Sequence, residues 1–269
     1  MPPVVFAPLN LWAWLPWLIG LFVLLWVLHL RVRNASLADV GFCLAFGMVV
    51  LACGIFSAGE PFRRVCISGM GLLYAVRLGT YLFRQRVWNS LEDSRYQTIR
   101  TMLGGWESAG MFVYFQMQVP ACLFFAGLLC WVMNHPADGI RWWDSLGVVI
   151  FLIAIFGETL ADRQLAAFRQ DPLNKGKTLQ SGLWRYSRHP NYFFESLHWC
   201  AYVPLAIGLP WFWLAVIWPF LMMSSLLWVT GVPWVEAQAL VSRGDSYREY
   251  QRTTSLFFPW FPRKMGEKR

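Results

Sequence analysis

The sequence predicts an all-α membrane protein with seven transmembrane helices, its N-terminus outside and its C-terminus in the cytoplasm. Of its 269 residues, 57% are hydrophobic and only 14% are charged, at a mean hydropathy of +0.42. This composition is too apolar for one water-soluble domain. The apolar residues are gathered in runs of about 20, which is the length that crosses a bilayer as a helix. Lys and Arg are concentrated in alternate loops between these runs, and this asymmetry indicates the orientation.

The predicted spans follow one another with short connections. In chain order they are residues 11–30, 37–57, 65–83, 111–133, 143–161, 192–209 and 211–231. The first ends before Arg31, the second carries Asp39 in its first turn, and the third contains Arg77. The fourth has no charged residue, the fifth carries Glu158 near its end, and Pro210 separates the last two, which predicts a tight hairpin. Because the connections are too short for an independent soluble domain, we expect one integral-membrane domain over residues 1–269.

Most of the basic residues lie in loops on one side of the predicted membrane spans. Assigning alternate loops to the same side leaves only Arg63, Arg64 and Arg141 on the opposite side and Arg77 within a span, out of 23 Lys and Arg. Cytoplasmic loops carry the excess of Lys and Arg, so we expect the basic side to face the cytoplasm. The net charge of +8 is then concentrated where anionic lipid headgroups or a polyanionic cofactor would bind. Nucleic acid is disfavoured, because no soluble basic domain is present to hold it.

The cysteine pattern argues against a disulfide framework and against a structural zinc site. Six cysteines are scattered through apolar stretches without a Cys-x-x-Cys pair: Cys43, Cys53, Cys66, Cys122, Cys130 and Cys200. We therefore expect all six to act as small buried hydrophobic residues, and no metal.

Carboxylates lie in or beside several of the apolar runs, among them Asp39, Glu158, Asp162, Glu195 and Glu236. Each would cost several kcal/mol if it were left unpaired at the bilayer centre. Glu158 and Asp162 are four residues apart and so share a helix face, and Asn191 and Glu195 repeat this spacing. Such faces accept hydrogen bonds from amide, ribose or amino groups of a bound molecule. The alternative is a polar clamp between helices, in which nearby arginines neutralise the acids.

The loop between the fifth and sixth spans is rich in cations and glycine. Its cations, among them Arg169 and Lys177, are mostly arginines, whose forked guanidinium suits phosphate oxygens, and Gly182 permits close approach of the backbone. Pro190 is expected to begin a helix, whose N-terminal dipole again favours an anion. The chain has no Gly-x-Gly-x-x-Gly or Walker pattern, so a nucleotide would be held without a Rossmann sheet.

These residues carry a resemblance to a known family. The motifs are Glu158-x-x-x-Asp162-x-Gln164, Phe168-Arg169, Gly182-Leu183-Trp184, Arg188-His189-Pro190-Asn191-Tyr192-x-x-Glu195, and Glu236 followed by Tyr247-x-x-Tyr250. Together they resemble the membrane-bound steroid 5α-reductases, and within them the bacterial branch with a domain of the DUF1295 type. The resemblance is strong over residues 75–262 and weak over the first two spans.

The resemblance implies a monomeric reductase of the bacterial inner membrane with its cofactor site facing the cytoplasm. Such an enzyme uses NADPH to reduce a carbon–carbon double bond conjugated to a ketone in a lipophilic substrate, for example a 3-oxo-Δ4 steroid to its 5α-dihydro product. The substrate cavity would lie mainly among the first four spans, and the cofactor site mainly in residues 80–100 and 155–262.

The resemblance also implies roles for single residues. Tyr81 corresponds to a proton donor and Asp39 to an acid that hydrogen-bonds the substrate ketone, so that the two would stabilise the enolate formed after hydride transfer. The cofactor-binding positions are Arg84, Arg95, Glu158, Asp162, Arg169, Lys177, Tyr186, Arg188, His189, Asn191, Tyr192, Glu195 and Glu236. Three positions depart from the family: Asp39 replaces a Glu, Glu158 a neutral amide and Glu236 a His.

Three alternatives stay open at this stage. Tyr81 also fits the interfacial belt of aromatic residues, and His189 fits a helix cap. Isoprenylcysteine and phospholipid methyltransferases, which use S-adenosylmethionine, share an Arg-His-Pro-x-Tyr motif, although they usually lack the acids at positions 158, 162 and 195. A transporter is disfavoured because the chain has no inverted repeat.

Overall fold

The computed structural model describes residues 11–88, 92–136 and 139–263, apart from the side chain of Ser94. Every regular element in these ranges is helical. The chain divides into two compact units, Met1–Ile140 and Arg141–Arg269. The C-terminal basic residues Lys264, Lys268 and Arg269, which contribute to the expected orientation, lie outside the described ranges.

Five α-helices occur among the described residues of the first unit. They are α1 (Leu15–Val32, preceded by the 3-10 turn Leu11–Trp14), α2 (Leu37–Phe56), α3 (Pro61–Leu82, continued by the π turn Phe83–Val87), α4 (Ser94–Leu103) and α5 (Glu107–Met133). Small residues let these helices approach closely, because Gly71 of α3 lies against Val50 of α2 and Leu129 of α5. A Cβ at position 71 would stand 2.8 Å from both side chains. Small residues are common at helix contacts in membranes, where the hydrophobic effect does not drive helices together and close packing has to do so.

Between residues 141 and 263, the second unit contains six α-helices. They are α6 (Trp142–Gln170), α7 (Pro190–Cys200), α8 (Tyr202–Leu205), α9 (Trp213–Ser225, continued by the π turn Leu226–Thr230), α10 (Val232–Arg243) and α11 (Asp245–Thr253). Helices α7 and α8 pack on α6, where Gly147 lies against the carbonyl oxygen of Ala201 and the side chain of Leu205. The long loop between α6 and α7 holds only two short 3-10 turns, Pro172–Asn174 and Gly182–Arg185.

Six helices in the described ranges are long and apolar enough to cross a membrane. Their bounds, with adjoining turns included, are Leu11–Val32, Leu37–Phe56, Pro61–Val87, Arg95–Met133, Trp142–Gln170 and Trp213–Arg243. The predicted architecture of a multi-pass all-α protein is therefore confirmed at this level, and six of the predicted spans overlap these helices.

The predicted span 192–209 differs from the others. It contains the 11-residue helix α7 and the four-residue helix α8, and α7 alone is about 16 Å long against a hydrocarbon core of about 30 Å. Pro204, Gly208 and Pro210 prevent a longer helix. Much of the segment is buried, including Trp199 and Tyr202, so it does not need the uniformly apolar surface of a lipid-exposed helix.

Cys53 of α2 and Cys130 of α5 form a disulfide with their Cα atoms 5.5 Å apart. The expectation that all six cysteines are only buried hydrophobic residues is wrong for this pair. Their spacing of 77 residues carries no signal in the sequence, because the pairing depends on α2 packing against α5. Next to the disulfide, Asn134 Oδ1 accepts a hydrogen bond from the backbone N–H of Ala58 at 3.1 Å. The ends of α2 and α5 are thus tied by a covalent bond and a polar contact.

Candidate functional site

A buried polar face lies where α6 meets α7 in the second unit. Glu158 and Asp162 of α6 and Glu195 of α7 are all buried, and Asn191 Nδ2 donates to Asp162 Oδ1 at 3.3 Å. Glu195 Oε1 accepts a hydrogen bond from Trp199 Nε1 at 3.1 Å. The acids and the amide predicted from their four-residue spacing therefore occur on packed helices, and Asn191 bridges the two.

Asn191 retains hydrogen-bonding capacity at this face. Its side-chain oxygen is buried and has no hydrogen-bond partner within residues 11–88, 92–136 and 139–263. An amide oxygen of this kind costs about 1–3 kcal/mol when it stays unsatisfied. It is therefore a natural acceptor for an N–H or O–H group of a bound molecule.

The start of the loop before α7 is fixed on the end of α6. Gly182 has φ +60° and lies so close to Gln164 that a Cβ would stand 2.5 Å from its side-chain nitrogen. Gln164 Oε1 in turn accepts from the backbone N–H of Leu183 at 3.0 Å, and Trp184 Nε1 donates to the carbonyl oxygen of Ala161 at 3.0 Å. The Gly-Leu-Trp motif thus fixes the loop against α6 and so positions the residues that follow it.

Glu236 of α10 gathers the charged residues of the same loop. Its Oε1 atom lies 2.9 Å from Arg188 Nε and 3.2 Å from His189 Nε2, and it also accepts from Tyr247 Oη at 3.3 Å. Gln251 Nε2 donates to its Oε2 atom at 2.9 Å. Three predicted cofactor residues, at positions 188, 189 and 236, therefore contact one another, and Glu236 joins the loop to α10 and α11.

His189 is buried between this network and Tyr192. The two rings are stacked with centroids 5.3 Å apart. Burial lowers the pKa of His189, while the hydrogen bond that its ring donates to Glu236 opposes the shift. The neutral imidazole is consequently the favoured form near pH 7. For Tyr247, burial and the neighbouring Glu236 raise the pKa of the phenol, which therefore remains a hydrogen-bond donor.

The segment Ser255–Arg263 runs along the same loop; we call it the C-terminal strap. The carbonyl oxygen of Ser255 accepts from the N–H of Arg188 at 2.8 Å, and Trp260 N–H donates to the carbonyl of Tyr186 at 2.9 Å. Ser187 Oγ donates to the carbonyl oxygen of Phe257 at 2.8 Å. Tyr186, a predicted cofactor residue, thus uses its backbone to hold the strap and its ring to contact that of Phe261.

A basic cavity of about 340 Å³ lies beyond the end of α6. Its charged lining comprises Arg169, Lys175, Lys177 and Arg243 against a single acid, Asp171. The structure thus brings together the two predicted phosphate-binding residues, Arg169 and Lys177, and adds two cations that the sequence analysis did not assign. The guanidinium carbon of Arg243 lies 5.4 Å from the centre of the Tyr247 ring, which connects the cavity wall to α11.

Asp39 lies at the centre of a second charged group, in the first unit. Its Oδ2 atom contacts Arg86 Nη1 at 3.1 Å and Arg95 Nη2 at 3.4 Å, and Tyr96 Oη donates to Oδ1 at 2.7 Å. Asp93 lies between the same two arginines, at 3.3 Å and 3.2 Å. Although burial raises the pKa of Asp93, the two guanidinium groups outweigh it and hold that pKa below its usual value. Asp93 is therefore charged at neutral pH.

A match to one protein-family model covers most of the chain. The model described as "Protein of unknown function (DUF1295)" matches residues 25–254. The chain belongs to the DUF1295 family. This is the family of steroid 5-alpha-reductase-like proteins, as the motifs around Asn191 predicted.

One curated relative of this DUF1295 protein is "Uncharacterized protein C594.04c" of Schizosaccharomyces pombe. It is 25% identical over an alignment of 221 residues that covers 70% of this chain. The match spans 63% of the relative's length. No solved structure matches the DUF1295 chain.

The residues around Asp39 are the part of this DUF1295 protein that sequence reasoning missed. Tyr96 and Asp93 were not singled out, although the run Glu92-Asp93-Ser94-Arg95-Tyr96 joins two acids, a cation and an aromatic residue before α4. Asp93 also accepts from the N–H of Arg95 at 3.0 Å, as an N-cap does. Tyr81 is half-buried near the end of α3, and Arg84 is exposed in the π turn that follows.

Proposed function

We propose that the protein reduces a carbon–carbon double bond conjugated to a ketone in a lipophilic substrate, with NADPH as the hydride donor. The preferred substrate class is the 3-oxo-Δ4 steroids, which would yield 5α-dihydro products. The observation that carries the proposal is the buried face of α6 and α7, where Asn191 keeps an unsatisfied side-chain oxygen beside Asp162. Membership of the DUF1295 family supports the same assignment.

The second unit offers groups of the chemistry that a phosphorylated dinucleotide requires. Asn191, with Glu158, Asp162 and Glu195, would accept hydrogen bonds from the carboxamide and ribose groups. The basic cavity, with Arg169 and Lys177, would bind phosphate oxygens. NADPH, when bound, supplies the hydride.

The remaining predicted residues would act by positioning. Arg188, His189 and Glu236 fix the loop before α7 through their mutual contacts, and Tyr192 stacks on His189. Because His189 is neutral near pH 7, the positive field at this loop comes from Arg188 and the nearby cations, whose charge does not change near neutral pH.

In the first unit, the proposal assigns hydrogen bonding of the substrate ketone to the group around Asp39. Tyr81 would donate the proton, as the family resemblance implies. Two tyrosines extend the group, because Tyr96 Oη lies 3.1 Å from Tyr114 Oη. Hydroxyl and guanidinium donors placed in an apolar surrounding are suited to stabilise a developing enolate.

We also propose a seven-span topology with the N-terminus outside and the C-terminus in the cytoplasm of a bacterium. Helices α7 and α8 would then form the sixth crossing as a short, broken and protein-covered segment. The distribution of Lys and Arg among the loops supports this orientation. The protein would act as a monomer in the inner membrane, in contact with its lipids.

The first test is a thermal stability scan of the detergent-solubilised protein with NADPH, NADH and S-adenosylmethionine. A ligand at a hundred times its dissociation constant adds about 2.7 kcal/mol to the free energy of unfolding. Selective stabilisation by NADPH is the expected result, and Asn191→Ala should reduce it. The matched control is Gln238→Ala, which removes an exposed amide on α10 and should leave the shift unchanged. Stabilisation by S-adenosylmethionine alone would assign the chain to methyl transfer instead.

A further inference from the structure

An apolar cavity of about 480 Å³ lies within the second unit, between α6, α7, α8, α9 and the C-terminal strap. Its walls include Ser196, Cys200, Val203, Pro219, Met223 and Phe257. The volume falls in the range of about 300–1,000 Å³ that is usual for small-molecule sites. The cavity is distinct from the basic one, because the two have no lining residue in common.

The cavity lies on the face of α7 that points away from the polar one. Successive residues of a helix are about 100° apart, so Ser196 and Cys200 project well away from the direction of Asn191 and Glu195. Helix α7 therefore presents the carboxylate and amide groups on one side and the cavity on the other. Occupation of the cavity does not require occupation of the polar face.

Ser196 is the polar feature of this cavity. The residue is 6% exposed, and its hydroxyl has no hydrogen-bond partner in the part of the chain that the structure describes. A buried hydroxyl without a partner costs about 1–3 kcal/mol. A ligand oxygen that exchanges a hydrogen bond with Ser196 would offset this cost.

The other walls indicate what kind of molecule carries that oxygen. No charged side chain lines the cavity among the described residues, so a charged ligand would stay unpaired. Pro204 and Pro219 stiffen two walls, and the ring of Phe193 packs edge-on against Phe257 and Phe258 with both pairs of centroids 6.0 Å apart. Fixed, flat walls favour a rigid ligand, because such a ligand loses less conformational entropy than a flexible chain.

We propose that this cavity is a second ligand site, which binds a neutral ring-containing lipophile through one hydroxyl or ketone oxygen on Ser196. The site is independent of the proposed reductase activity. It binds its ligand in the absence of NADPH, and it keeps doing so whichever cofactor occupies the polar face.

The test uses a 3-hydroxysteroid that bears a diazirine and an alkyne, a rigid apolar probe with one hydroxyl group. Purified protein in lipid nanodiscs without NADPH is irradiated, and the labelled peptides are identified by mass spectrometry. The expected label lies on α7 or α9, and excess unlabelled steroid competes with it. Ser196→Ala should weaken binding about three- to tenfold, since one neutral hydrogen bond is lost.

A cavity-filling pair of variants provides the matched control. Met223→Trp adds bulk inside the cavity and should abolish the labelling, whereas Leu152→Trp adds a similar bulk to an exposed position of α6 and should not. Circular dichroism and the elution volume show whether each variant is folded. The proposal is overturned if a diazirine-bearing palmitate labels the same peptides as strongly, or if Ser196→Ala leaves labelling by the steroid unchanged.

Discussion

Tyr81 and Tyr96 are alternative candidates for the proton donor in the proposed reaction. The family resemblance assigns proton donation to Tyr81, while the hydroxyl that donates to Asp39 at 2.7 Å is that of Tyr96. Sequence alone separates the two poorly, because both are tyrosines in or beside the connection between the third and fourth predicted spans. Replacing each tyrosine by phenylalanine distinguishes the two roles.

Under the proposed function, Tyr81→Phe should lower turnover by the 10²–10⁴-fold typical of a general acid, with NADPH affinity unchanged. Tyr96→Phe removes a hydrogen bond to a charged acceptor, worth about 1.5–3 kcal/mol, and should mainly raise the KM for the enone by loosening Asp39. Steady-state kinetics of both variants decide the matter. The reverse pattern, full turnover in Tyr81→Phe and its loss in Tyr96→Phe, would make Tyr96 the donor.

His189 should make the stability of the protein depend on pH. Its pKa is lowered in the folded state by burial, so below about pH 6.5 the unfolded chain binds more protons and stability falls as the pH falls. His189→Gln keeps a donor for Glu236 and does not titrate. Thermal scans between pH 7.5 and 5.5 should therefore show a smaller decline for this variant. A wild type that gains stability on acidification relative to the variant would contradict the lowered pKa.

At the scale of elements, the contact between α6 and the end of α7 depends on a missing side chain. A Cβ at Gly147 would stand 2.7 Å from the carbonyl oxygen of Ala201 and 2.9 Å from Leu205 Cγ. A backbone atom cannot move aside as a side-chain end can. The close approach therefore fixes where the short helix lies, and with it the placement of Asn191.

Gly147→Ala should destabilise the protein by about 1–3 kcal/mol, the usual effect of overpacking. Gly69→Ala is the matched control, because a Cβ there meets nothing within 4 Å, and alanine in a helix is up to about 1 kcal/mol better than glycine. Midpoints of thermal unfolding in detergent measure both. Equal midpoints for the two variants would mean that the two helices are not held at this distance.

The broken helix at residues 190–205 shows why hydropathy alone did not predict the helix lengths in this segment. Hydropathy detects apolar composition, and composition alone made 192–209 a span of ordinary length. Whether such a segment is one helix depends on prolines that end it and on neighbours that cover it, and Tyr202 and Leu205 are buried by the fold.

At the scale of the whole molecule, the six helices long and apolar enough to span were predictable because hydropathy is a local property of the chain. The spacing of Glu158, Asp162, Asn191 and Glu195 likewise predicted one polar face. The partners of Asp39 and Glu236 were not predictable, since Tyr96 and Gln251 reach them only after the helices pack. The same holds for Cys53 and Cys130.

The disulfide gives the proposed topology an independent check. With the N-terminus outside, the ends of α2 and α5 that carry Cys53 and Cys130 face the oxidising side of the membrane, where disulfides persist. A disulfide-linked peptide should be recovered after rapid alkylation of intact cells, and green fluorescent protein fused to the C-terminus should fluoresce. Free thiols at both cysteines, together with a dark fusion, would invert the orientation.

The C-terminal strap has a consequence for biosynthesis. The loop that carries Tyr186 and Arg188 accepts a backbone hydrogen bond from Trp260 and donates one to Ser255, so it cannot adopt its final form until those late residues have left the ribosome. Helices α6 and α7 can enter the membrane while translation proceeds, but the loop between them has to wait for its last contacts. The loop before α7 therefore takes its final form only after α11 and the strap have been synthesised.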